Sequence, residues 1–260
     1  MTDRHKIYFI SDIHLGLHPA EQSVMREKIL VRWLESIKND ASELYLVGDI
    51  FDFWHEYHKV VPRGFTRFLG KLAELSDSGI KIHFFTGNHD VWVYDYLPAE
   101  IGLTVYHDNI TRNIDGFRFF IGHGDGVGKA DFGYRMLKAV FTNRFLQWLF
   151  ARIHPNASLA FGHRWSRSSR YAKGIIAEPY RGNDKEWQII FAQELIRKEP
   201  YDFFIFGHRH LPFDIKIGEN TRVINLGDWI TKYTYAVWQN NTLELHSIFP
   251  EKEKDIIRNY

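Results

Sequence analysis

Five short stretches gather the side chains of this chain that could do metal chemistry: Asp12-Ile13-His14, Gly48-Asp49-Ile50-Phe51-Asp52, Gly87-Asn88-His89-Asp90, Gly122-His123-Gly124-Asp125 and Gly207-His208-Arg209-His210. They offer seven donors, Asp12, His14, Asp49, Asn88, His123, His208 and His210. Three oxygen donors and four imidazoles are too many for one ion, but they suit two ions sharing one carboxylate, and Asp49 is the natural bridge. Two divalent cations about 3.5–4 Å apart activate a water between them and neutralise charge on a phosphoryl group, so phosphoester hydrolysis is the expected reaction. His89 is placed to give a proton to a leaving group, with Asn88 beside it. Asp52 is a candidate for a catalytic or orienting role, and Asp125 and Asp131 are weaker ones, because a ligating imidazole usually has a hydrogen-bonded outer partner. The chain has no Cys, so the ligands are limited to His, Asp, Glu and Asn, which favours a hard or borderline cation.

These donors need strands to deliver them. Residues 6–11, 44–47, 80–85, 117–121 and 202–206 are apolar runs rich in β-formers, and each ends at one of the five stretches. In open α/β sheets, ligands collect beyond the carboxyl ends of the strands. The i, i+2 spacing of Asp12 with His14, and of His208 with His210, predicts donors sharing one face of an extended chain. Between Glu21 and Lys38 the residues Val24, Met25, Ile29, Leu30, Trp33, Leu34 and Ile37 recur at helical spacing. Phe65 to Leu75 repeats the pattern, with Gly79 as a helix stop. After His210 the runs 213–217, 222–225, 233–238 and 243–246 predict a β-rich tail, with hairpin turns at Gly218-Glu219-Asn220 and Asn240-Asn241.

The stretch from about 128 to 198 differs in character and is expected to be a helical cap inserted between two of the donor loops. Tyr134, Leu137, Val140, Phe141, Phe145, Trp148, Leu149 and Ile153 suggest one or two amphipathic helices, and Trp187, Ile190, Phe191 and Leu195 another. Residues 129–173 hold nine Lys or Arg against the single acid Asp131, a local charge of +8 in a chain whose net charge is +1. Charge sorted in this way is expected of a patch that meets phosphate groups. Interleaved with aromatics, it suits a phosphate-bearing lipid or an anionic bilayer. The aromatics sit at helix-packing spacing rather than as a stacking platform, so nucleic acid is an unlikely partner.

The pattern Asp-X-His, Gly-Asp-X-X-Asp, Gly-Asn-His-Asp, Gly-His and Gly-His-X-His is complete here and resembles that of the calcineurin-like metallophosphoesterases. The resemblance implies an α/β fold, a four-layer αββα sandwich of two mixed sheets. It implies one ion held by Asp12, His14, Asp49 and His210 and the other by Asp49, Asn88, His123 and His208, with His89 near the leaving group and oriented by Asp52. Within that superfamily the chain is similar to the UDP-2,3-diacylglucosamine diphosphatases of lipid A synthesis. The likeness rests on Gly48-Asp49-Ile50-Phe51-Asp52-Phe53-Trp54, on His123-Gly124-Asp125 followed by Asp131, Gly133 and Tyr134, on the insertion, and on Leu226-Gly227-Asp228-Trp229. Those enzymes typically carry Arg after the Asn, where this chain has His89. The resemblance implies manganese as the metal, a capped site that takes acyl chains, and cleavage of a pyrophosphate to UMP and a lipid monophosphate.

The expectation is thus a binuclear pyrophosphohydrolase acting on a nucleotide-linked glycolipid. Substrate contacts are expected from Asn88, His89, His208 and the cap residues Arg164, Arg167, Ser168, Arg170 and Lys173. The alternative is a generic metallophosphodiesterase or nuclease of the same superfamily. The start Met1-Thr2-Asp3-Arg4-His5-Lys6 is too charged for a signal peptide, and no apolar run reaches the ~18 residues that span a bilayer. A cytoplasmic protein, peripheral on the cytosolic face of the inner membrane, is expected.

Overall fold

A computed structural model describes residues 4–127, 136, 139–173 and 179–259, without the side chains of 167–173. The first half runs β1 (Lys6–Ile10), α1 (Ala20–Ile37), β2 (Ala41–Val47), α2 (Thr66–Asp77), β3 (Lys81–Phe85), α3 (Tyr96–Ile101), β4 (Thr104–Tyr106), β5 (Ile110–Ile114) and β6 (Phe117–Ile121). Among the described residues, helical positions at 139–142 are followed by α4 (Arg144–Phe150), α5 (Pro155–Lys173) and α6 (Trp187–Ile196). The chain then forms β7 (Phe203–Phe206), β8 (Phe213–Ile217), β9 (Thr221–Asn225), β10 (Thr234–Gln239), β11 (Thr242–Ser247), a 3-10 turn (Pro250–Asp255) and β12 (Ile257–Asn259).

Two mixed six-stranded sheets result, in the orders β11-β10-β1-β2-β3-β4 and β12-β8-β9-β7-β6-β5. Period-two alternation assigns the side chains to three apolar layers. From β1, Ile7 and Phe9 enter the core between the sheets, while Tyr8 and Ile10 lie under α1 with Leu30, Trp33 and Leu34. From β7, Phe203 and Ile205 enter the inter-sheet core, while Phe204 and Phe206 meet Ile189 and Ala192 of α6. Strands buried on both faces have no polar side, which is why they read as unbroken apolar runs. Helix, sheet, sheet and helix are the four layers of an αββα sandwich.

The helical periodicity of α1 misplaces part of its face. Val24 and Met25 are exposed, and Arg26 and Glu27 are buried in their stead. Glu27 accepts from the backbone N–H of Arg67 and Phe68 and so caps α2, a tertiary use that no periodicity reveals. In α6, Trp187 is exposed and the buried residues are Gln188, Ile189 and Ala192. The short elements α3, β4, β5 and β12 escape the sequence reading because each spans only one or two turns or three to five residues. Both predicted tail hairpins form: β8 pairs with β9 across 218–220, and β10 with β11 across Asn240 and Asn241, both of which have positive φ.

Candidate metal centre

β1, β2 and β3 are mutually parallel, so the turns after them open on one edge, and backbone hydrogen bonds tie those turns together. Asp12 N–H donates to Gly48 O at 3.1 Å and His14 N–H to Asp49 O at 3.0 Å. From the second sheet, the turns after β6 and β7 reach the same edge, with Gly207 N–H donating to His123 O at 3.0 Å. Gly48 has φ +81°, and a Cβ there would overlap the His123 imidazole, so the two sheets approach each other over a glycine.

The donors do not share a face of an extended strand. β1 ends at Ile10, and Asp12 (φ 52°), His14 (49°), Asp49 (53°), His208 (67°) and His210 (55°) all adopt the left-handed region. Asp and His tolerate that region better than most residues, yet each such residue costs about 1–3 kcal/mol. Left-handed turns, rather than strand alternation, aim these side chains inward.

The side chains form three overlapping groups, of which two flank one Asp49 oxygen and the third, His14, Asp49 and His89, joins them. Asp12, His14 and His210 make one of the flanking two, and Asp49, His123 and His208 the other; within each, one potential ligand atom per residue lies within 4.8 Å of the others. In the first, His14 Nε2 is 3.3 Å from His210 Nε2, which is 3.2 Å from Asp12 Oδ1. Asp49 Oδ2 lies 3.7 Å from His14 Nε2 and 3.3 Å from His123 Nε2, so it faces both groups. The remaining carboxylate oxygens are occupied: Asp12 Oδ2 accepts from His208 N–H and Asp49 Oδ1 from His89 N–H, each at 2.9 Å.

Asp12 Oδ1, Asn88 Oδ1 and His123 Nε2 are buried with no hydrogen-bond partner. Orphaned polar atoms are costly, and three of them converging on one cleft point to a further ligand. Donors about 2.1 Å from one ion and at right or tetrahedral angles lie about 3.0–3.4 Å apart; the His14–His210 and His210–Asp12 separations match this, and His14 Nε2 stands wider, 3.8 Å from Asp12 Oδ1. The residues fit a pair of divalent ions.

Outer partners orient the imidazoles. His123 Nδ1–H donates to Val47 O at 2.9 Å, which leaves Nε2 for a ligand. His210 Nδ1 is 3.6 Å from Asp228 Oδ2, and His14 Nδ1 is 3.7 Å from Asp52 Oδ1. Asp228 accepts from the backbone N–H groups of Ile230, Thr231 and Lys232 and is itself held fixed. The sequence reading gave it no role, although a Gly-Asp pair following β9 repeats the signal that marked Asp49. Arg26 Nη1 donates to His14 O at 2.9 Å, and Asp90 accepts from the N–H groups of Ile50, Phe51 and Gly87, joining the loops after β2 and β3.

The electrostatics follow from burial and proximity. Burial works to raise the Asp49 carboxyl, but the imidazoles of His123, His89 and His14 outweigh it and hold the group well below the usual carboxylate range. Burial likewise works against charge on His123, yet Asp49 and Asp12 hold it well above its ordinary value. His208 is pushed down to about 3 by burial and by His123. Asp90 is pushed up to about 7 by burial and by Asp49.

The inserted helices dock on this edge. Ser166 of α5, itself buried, donates to Asp52 Oδ2 at 2.9 Å. His89 Nδ1 lies 3.0 Å from Asp52 O and 3.4 Å from Ser166 Oγ. Asp52 therefore meets His89 through its carbonyl, and its carboxylate faces His14 and Ser166. Trp92 Nε1–H donates to Phe141 O and Tyr57 O–H to Ile153 O. Arg164 is exposed on α5; the side chains of Arg167, Ser168, Arg170 and Lys173, and the whole of Asp131, lie outside the described residues. α4 buries none of its residues: Phe145 is 67% and Trp148 53% exposed, and on α5 Phe161 and Trp165 are exposed as well. Of the residues expected on one or two amphipathic helices, Val140, Phe145, Trp148, Leu149 and Ile153 are exposed, and Tyr134 and Leu137 lie outside the described residues. Among the described residues, no helix is long and apolar enough to cross a membrane.

Residues 5–212 match the calcineurin-like phosphoesterase family, and the chain belongs to it. It is similar over nearly its whole length to proteins named UDP-2,3-diacylglucosamine hydrolase. That of Porphyromonas gingivalis (strain ATCC BAA-308 / W83) is 44% identical over 257 residues, 94% of this chain and 98% of that protein. That of Aeromonas salmonicida (strain A449) is 29% identical over 88% of each. A phosphoesterase from E. coli aligns in structure with a TM-score of 0.44 at 16% identity, over 94% of this chain and 93% of that one. The chain is a hydrolase of the metallophosphoesterase class.

Proposed function

We propose that the chain hydrolyses the pyrophosphate of a UDP-linked diacylated glucosamine to UMP and the lipid monophosphate, at a membrane surface. The observation that carries this reading is the joining of two features at Asp52: one carboxylate oxygen faces the donor His14 and the other accepts from Ser166 of an inserted helix whose aromatics lie in solvent. The relatives named above agree in substrate class.

Asp12, His14, Asp49 and His210 would hold one ion, and Asp49, Asn88, His123 and His208 the other. Manganese suits a set of carboxylate, amide and imidazole donors without thiolate. Two such ions, when bound, would supply a nucleophile at neutral pH and offset the charge that gathers on the phosphoryl oxygens. In the hydrolysis the oxygen of water ends on one phosphorus, the bridging oxygen leaves with the other, and that oxygen needs a proton. If the bond of His89 Nδ1–H to Asp52 O persists, Nε2 is the nitrogen available to give it. Arg164, Arg167, Ser168, Arg170 and Lys173 on α5 would bind the phosphates, with the inserted helices ahead of α6 as a cap over the acyl chains, since α6 itself packs on β7 as a layer of the sandwich. Phe145, Trp148 and Arg152, whose guanidinium lies 4.7 Å from the Trp148 ring centre, would rest at the headgroup level of an anionic bilayer.

Purified protein loaded with manganese should release UMP from a UDP-diacylglucosamine presented in detergent micelles. Turnover of simple phosphodiesters without UMP release from that glycolipid would transfer the reading to a generic phosphodiesterase.

A further inference from the structure

Arg209 stands between the two histidine donors His208 and His210, in a turn where both flanking residues have positive φ. Its guanidinium meets Glu186 in a two-pronged pair, Nε to Oε2 at 3.0 Å and Nη2 to Oε1 at 3.1 Å, and Nη2 also donates to Pro179 O at 3.0 Å. The pair is shielded, with Glu186 5% and Arg209 18% exposed at the side chain. Glu186 is the residue at which α6 begins, where the inserted stretch returns to the sandwich. Two residues further, buried Gln188 donates to Gly207 O at 2.8 Å and accepts from Asn225, which also donates to Gly207 O. The start of α6 therefore grips the donor turn on both sides of His208.

We infer that Glu186 and Arg209 are positioning residues of the metal centre. Their ion pair holds the 207–210 turn left-handed, so that His208 faces Asp49 and His123 while His210 faces Asp12 and His14. A planar guanidinium bonded at two edges resists rotation in a way that a single contact cannot. Without it the turn is free to relax toward ordinary backbone angles, and each histidine then leaves its group. The inference rests on the two-ion reading above and adds what holds two of its donors apart.

The test is titration of manganese alone into metal-stripped protein, followed by calorimetry at a temperature where every variant is folded by circular dichroism. Arg209→Met should weaken binding by about 10–100-fold, the range seen when groups behind metal ligands are removed. Arg209→Lys should fall between Met and the parent, since an ammonium makes only part of the fork. Glu186→Gln should weaken binding in the same sense, and the double variant should be no worse than the weaker single, because the two act as one unit. Arg222→Met removes a comparable pair, between Arg222 of β9 and Asp214 of β8, and should leave manganese affinity within about two-fold of the parent. Parent-like affinity in Arg209→Met would overturn the inference, as would a raised KM at unchanged affinity, which would assign the guanidinium to substrate. A parent that binds no manganese would instead overturn the two-ion reading itself.

Discussion

The donor edge of the sandwich and the α4–α5 region invert the normal rule of burial in opposite senses. At the edge, Asp12, His14, Asp49 and His123 are almost wholly withdrawn from solvent, and three of the converging polar atoms lack partners. On α4 and α5 the aromatics Phe145, Trp148, Phe161 and Trp165 lie in water. Neither arrangement is favourable for the chain alone: buried polar atoms need partners, and large exposed apolar patches mark interaction sites. The contrast teaches that the two regions lack different things: the edge lacks partners for buried polar atoms, and the helices lack a cover for their rings.

Changes confined to one region should therefore leave the other intact. The largest effect is expected at Asp49, whose Oδ2 faces both groups. Asp49→Ala should lower UMP release by about 10³-fold or more and abolish high-affinity manganese binding, while vesicle binding through α4 stays within about two-fold. Retention of metal binding in that variant would break the contrast. A middle-sized effect belongs to the helices. Phe145→Ser with Trp148→Ser should weaken flotation with anionic vesicles by about 10-fold or more, since each ring offers an apolar burial of about 1.5–3 kcal/mol. Thermal stability should change by less than about 0.5 kcal/mol, because neither ring is buried in the fold. Equal flotation of variant and parent would leave those aromatics without a membrane role.

The smallest effect lies at the seam between the regions. His55 is buried against Tyr57, Trp92 and Phe150 with neither ring nitrogen hydrogen-bonded, and burial pushes its pKa down to about 4. Its ordinary value is near 6.5, so between about pH 6.5 and 4 the unfolded chain takes up a proton that the folded chain refuses. Stability from this group is therefore present above pH 6.5 and lost as pH falls through that window. In His55→Phe, urea midpoints measured across the same range should decline less steeply than in the parent; parallel curves would show that the imidazole carries no such linkage.

The fold class was legible because the central strands are apolar on both faces, and because five of them run into stretches of acids, amides and histidines, four of these stretches being opened by a glycine. The helical layer was legible only in part: Glu27 and Arg26 are buried for tertiary reasons that local periodicity does not carry. At the site, donor identities could be read from spacing, but the left-handed geometry that aims Asp12, His14, Asp49, His208 and His210 could not, since an i, i+2 spacing is equally at home on a strand. Ser166 was passed over because its role depends on how α5 lies across Asp52. Asp228 could have been found, as a Gly-Asp pair after a strand like Gly48-Asp49.

Two of the three donor groups draw on both sheets: Asp12 and His14 from the first meet His210 from the second, and Asp49 meets His123 and His208, while His14, Asp49 and His89 all come from the first. A cation seated in either of those two would act as a rivet through the mouth of the sandwich, since a fragment bearing one sheet would lack part of its donors. Loading with metal should thus double as a check that the two halves have closed, leaving the stripped enzyme easier for a protease to nick at the loops beyond β1 and β7.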